Sequence, residues 1–127
     1  MWKDIWEQHA QAEREMMDRQ PQAEREMMDR QPLADLLDDA RRGRWGNYYN
    51  LWDAIADRAT LQQAGWILMD VLESAEDYLI RYHCAAALIK LMSRTDVEPV
   101  ELSADWPSRP ERLAHVKADL QQRAPRP

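Results

Sequence analysis

The 127-residue sequence predicts a single all-α domain, a small array of stacked helical hairpins. Three observations carry this. Ala, Leu, Met, Gln, Glu and Arg dominate, and these residues lose least on entering a helix. Glycine is rare, at three residues, and β-branched runs are nearly absent. Apolar residues recur at spacings of three and four, the period of an amphipathic helix rather than a strand. The length suits one domain with a core of its own. It divides into N-terminal helices over 1–43, a central unit over 44–93, and a loop with a C-terminal helix over 94–127.

Trp2, Ile5, Trp6, His9, Ala12, Met16 and Met17 form the first stripe. Pro21 ends or kinks it, because proline lacks a donor for the carbonyl four residues back. Pro32 repeats the break. In "LADLLDDARRG", Leu33, Leu36, Leu37 and Ala40 give a short stripe, and Gly43 suits the left-handed residue that closes a helix. Asp38 and Arg42 are spaced to pair on its surface. Asn47 is the expected cap of "YYNLWDAIADRA", with Tyr48, Leu51, Trp52 and Ile55 inward. Thr60 and Gln63 form a capping box for "LQQAGWILMDVLES". Leu61, Ala64, Leu68, Val71 and Leu72 face its core side. Ser74, with Glu76 and Asp77 behind it, is expected to start the next helix, which is apolar on nearly every side from Leu79 to Met92. That pattern places it at the centre of the fold. "RTDVEPVELSADWPSRP" predicts a proline-broken loop. Ser108 and Glu111 make a second capping-box pattern before a helix carrying Leu113, Val116 and Leu120, and the terminal "APRP" is expected to fray.

Residues 11–32 hold the segment "QAEREMMDRQP" twice. Eleven residues make three helical turns at about 3.67 per turn, so a continuous helix would set Met16 and Met17 over Met27 and Met28. Deleting either copy leaves a workable helix, turn and helix, which marks the repeat as a recent tandem duplication at the periphery. A homodimer or partner contact through Met16, Met17, Met27 and Met28 is the alternative use of the extra copy.

Residues 67–92, "ILMDVLESAEDYLIRYHCAAALIKLM", resemble a HEAT-type repeat. Leu68 and Leu72 stand for the spaced leucines of a first helix, "ESAED" for the acidic turn, Arg81 for the basic position of the second helix, and "AAALIKL" for its alanine-rich run. The match spans one repeat. The resemblance implies a HEAT-like α-solenoid whose surface binds other proteins.

Composition narrows the function classes. The net charge of -6, without a Lys/Arg cluster, disfavours nucleic acid and anionic membranes as partners and suits a basic protein. The single cysteine, Cys84, gives no internal disulfide. No apolar run reaches the roughly 20 residues that span a bilayer, so a cytoplasmic setting is expected. The excess of Arg (14) over Lys (3) points to a bacterial source with a GC-rich genome. His9, His83 and His115 lie at no metal-ligand spacing, and His83 and Cys84, adjacent on a helix, point about 100° apart. No catalytic residue, metal or cofactor is expected, and the chain reads as a binding protein rather than an enzyme.

One constellation stands out. Tyr49, Asp53 and Asp57 fall at i, i+4 and i+8 on one helix. Trp66, Asp70 and Glu73 share a face of the next, opposite Leu68 and Leu72. Packed as a hairpin, the two stripes would make an aromatic and acidic surface for a basic protein. Small acidic helical chains of this kind are similar to bacterial immunity proteins, which occlude a cognate toxin. That is the expected function. The alternative is a regulatory or assembly adaptor that binds through the Met-rich N-terminal helices.

Overall fold

The computed structural model describes residues 26–27, 30–45 and 50–126. The stripe from Trp2 to Met17, the first copy of the duplication, Met28, the Asn47 cap, Tyr48 and Tyr49 lie outside them. The described chain is all-α: α1 (Leu33–Arg41), α2 (Asn50–Arg58), α3 (Leu61–Ser74), α4 (Tyr78–Met92), α5 (Pro99–Ser103) and α6 (Arg109–Arg123). There is no strand among the described residues.

Local chemistry sets most of the ends. Gly43 follows α1 at φ 75°, where a side chain would be strained. Arg42 pairs with Asp38 at 2.9 Å, as spaced, and Arg44 reaches both Asp38 and Asp39. The Thr60–Gln63 capping box is present in both directions. Ser74, expected to open α4, instead closes α3, its hydroxyl donating to the Asp70 carbonyl at 2.7 Å. Asp77 is the cap of α4: its carboxylate accepts the N–H groups of Leu79 and Ile80, so both acids precede the helix. A carboxylate reaches two free amides at once and its charge suits the positive helix end, which favours Asp77 over a serine three residues earlier.

The expected proline-broken loop contains α5. Pro99 occupies its first position, where no N–H is needed, and Glu98 with Glu101 forms a capping box. At α6, Ser108 makes no side-chain cap, because its backbone (φ -80°, ψ -9°) is already helical rather than extended.

α4 is central, packing against α2, α3 and α5. Cys84, Ala85, Ala87, Leu88 and Met92 are its buried side. The three residues 75–77 turn α4 back along α3, and Arg81 locks the turn by donating to the Ala75 carbonyl at 2.5 Å. α3 also meets α1 and α6. Gly65 permits the approach to α6: a Cβ there would stand 2.8 Å from a methyl of Leu120. Leu36, Trp52, Ile55, Leu68, Leu72, Leu102 and Leu120 are fully buried, each contributing about 1.5–3 kcal/mol by leaving water.

Two expectations change here. α2 and α3 are separated only by residues 59–60, yet they do not pack as a hairpin; each leans on α4 and α1 instead. α2 has spent its apolar residues Leu51, Trp52 and Ile55 on that shared core. The C-terminal "APRP" does not fray through its described part. Ala124 is buried and Arg126 is tied to Asp70.

Candidate functional site

The residues expected to form one surface are not brought together: the five that are described stand on α2 and α3, which do not pack as a pair. Tyr49 lies outside the described residues. Asp53 and Asp57 are exposed on one face of α2, and Asp57 pairs with Lys90 of α4. Trp66, Asp70 and Glu73 do share a stripe of α3, but it looks toward α6 and the tail. The Trp66 ring is half-buried against the core, and its indole N–H donates to the Ala124 carbonyl at 2.7 Å. The Arg126 guanidinium stands 5.1 Å from the ring centroid and forks onto both oxygens of Asp70 at 2.9 and 2.8 Å. Glu73 meets Lys117 at 2.9 Å. The chain's own basic residues therefore engage the carboxylates of this face. The contacts are exposed ion pairs, which water screens.

A second set of exposed side chains was not singled out from the sequence. Tyr78, Leu79 and Trp106 are exposed at 44, 46 and 49%, large fractions for such side chains. Tyr78 and Tyr82, one helical turn apart, lie 6.2 Å between ring centroids, and Tyr82 and His83 lie 5.6 Å between centroids with their rings nearly perpendicular. Trp106 comes from the α5–α6 loop. Arg81 brings that loop to α4 by an ion pair with Asp105 at 3.0 Å. Tyr78 and Leu79 thus stand at a capped helix start, and Trp106 on a loop tied to the same helix. Glu76, Asp77 and Asp105, all exposed, stand next to them in the chain. The signal was present in the sequence: an all-round apolar helix whose Tyr78, Leu79, Tyr82 and His83 alternate at helical spacing. Its outer side was read as covered by another element, and no described element covers it fully.

Cys84 offers no nucleophile. The thiol is buried and sits 3.1 Å from the Leu68 carbonyl, and burial pushes its pKa well up, holding the sulfur protonated. His83 turns to the other side of α4 against Tyr82. A polar cleft of about 590 Å³ lies where α4 ends, beside Arg94, Asp96, His115 and Asp119. Its charges are mutually paired: Arg94 binds Asp96 at 2.6 Å and approaches Asp119 at 3.5 Å. The bond from Arg94 holds the Asp96 carboxyl down at about 2. Among the described residues no three His, Cys, Asp or Glu side chains are grouped to hold a metal ion. No helix among them is long and apolar enough to cross a membrane. The chain matches no protein-family model, no curated protein and no solved structure.

Proposed function

We propose that this chain is a stoichiometric protein-binding module that acts as an immunity protein, neutralising a cognate bacterial toxin by covering it. The observation that carries the reading is the exposure of the large apolar side chains Tyr78, Leu79 and Trp106, with the exposed carboxylates Glu76, Asp77 and Asp105 next to them in the chain. Rigid aromatic side chains give large contact area at small entropic cost, and they dominate the energetics of interfaces. The carboxylates around them steer a basic partner and set its orientation. The α3–α4 turn, with Arg81 locking it, supports a HEAT-like binding scaffold, and the net charge of -6 fits a basic partner.

Co-expression provides the test. The protein is produced together with the product of the reading frame next to its gene in the native genome. Restored growth and a one-to-one complex support immunity. Unrelieved toxicity, or an adjacent product that is harmless alone, counts against it. One observation favours the adaptor reading as a second choice: Met27, in the second copy of the duplication, is 62% exposed. In that case a one-copy deletion removes partner binding, whereas immunity through α4 survives it.

A further inference from the structure

We infer that Trp66 and Asp70 form an arginine-reading site, filled in the isolated chain by Arg126, which takes an arginine of a partner protein when the C-terminal tail lifts away. This deepens the protein-binding reading and rests on it. Two features select a guanidinium over an ammonium. The flat cation stacks on an indole face, and its paired N–H groups match a carboxylate fork. Arg126 uses both at once, at 5.1 Å from the Trp66 centroid and 2.9 and 2.8 Å from Asp70. The tail therefore displays the ligand chemistry that the face accepts.

The arrangement also permits exchange. Trp66 is anchored through Ala124, which is buried, whereas Arg126 lies two residues further on and half exposed. Its only other hydrogen bond among the described residues is a long one, from its backbone N–H to the Gln121 side chain at 3.3 Å. Arg126 can leave while Ala124 stays. Beside it opens a cleft of about 470 Å³ between α3 and the end of α1, with Asp70 and Arg126 on one wall. The other wall carries Arg41 and Arg42. An entering segment is thus one with a single arginine among neutral or acidic neighbours; a run of basic residues is repelled there.

The test uses the full chain and no partner, so its outcome is independent of whether the immunity reading holds. Acetylated, amidated Ala-Pro-Arg-Pro is titrated into the wild type and into Arg126→Gln, following the Trp66 indole N–H by NMR. A ligand on a tether this short acts at an effective concentration on the order of millimolar, against which the free peptide must compete. Removing it should strengthen peptide binding by about tenfold. Arg126→Lys should fall between the two, Ala-Pro-Lys-Pro should bind more weakly, and adding Asp70→Asn to Arg126→Gln should abolish the gain. Equal affinity for wild type and both Arg126 variants, or no shift at Trp66 in a variant that retains its circular dichroism and Tm, overturns the proposal. Failure of co-expression to protect cells, with the peptide result intact, removes the immunity reading alone.

Discussion

The two helices of the α3–α4 pair carry similar chemistry on their outer sides and end up differently. α3 presents Trp66 with Asp70 and Glu73; α4 presents Tyr78, Leu79 and Tyr82 with Glu76 and Asp77 just before them. The first surface is met by α6 and the tail, which supply Lys117, Arg126 and the Ala124 carbonyl. Among the described residues, the second is met by the α5–α6 loop through the Arg81–Asp105 ion pair. What separates them is where the chain goes after residue 92. The contrast teaches that where a later segment returns to an aromatic and acidic stripe, as α6 and the tail return to α3, the stripe's polar groups are taken up internally.

Four changes break or sharpen the contrast. Leu68→Ala should have the largest effect. Leu68 is fully buried in the core on which α3 and α4 rest, so both surfaces lose common support. Urea unfolding should show a loss of about 2–5 kcal/mol. Trp106→Ala should separate binding from folding. It should weaken the protein complex by about 2–4 kcal/mol and alter stability by only about 0.5 kcal/mol or less. A large drop in Tm would instead make Trp106 part of the fold. Trp66→Phe should act on the fold at smaller scale. Losing the indole donor to Ala124 should cost about 1 kcal/mol, with faster amide exchange at the end of α6.

The smallest effect concerns the polar cleft, away from both surfaces. Asp96 titrates at about 2 in the fold, against an ordinary 3.8, because Arg94 donates to its carboxylate. A carboxyl held low favours the folded state above the ordinary value, and that contribution disappears as the pH falls toward 2. Asp96→Asn should therefore lower Tm slightly at neutral pH and flatten its decline between about pH 4 and 2, as read by calorimetry. A decline of unchanged slope would assign the acid sensitivity to other carboxylates.

Much of the fold was legible because helix signals are short-range. Thr60 with Gln63, Gly43, and Asp38 with Arg42 act within five residues and stood as read. The errors at Ser74, Pro99 and Ser108 were also local: Asp77 takes the helix start expected of Ser74, and Ser108 precedes its helix with a backbone already helical. Proline was read as a breaker at 99, although at a first helical position it initiates. The candidate surfaces were less legible. Pairing across 56 residues between Asp70 and Arg126, or 24 between Arg81 and Asp105, leaves no periodic trace in the sequence. The divergence of α2 from α3 has the same origin, since both helices chose α4 over each other.

Cys84 gives the molecule an internal clock. The sole sulfhydryl is walled in between α3 and α4, so an alkylating reagent reaches it only during excursions in which those helices part. The speed of blocking then reports the frequency of such excursions. A companion protein gripping the outer side of α4 would slow the reaction while touching the sulfur nowhere, which makes one slow chemical modification a gauge of complex formation at a distance.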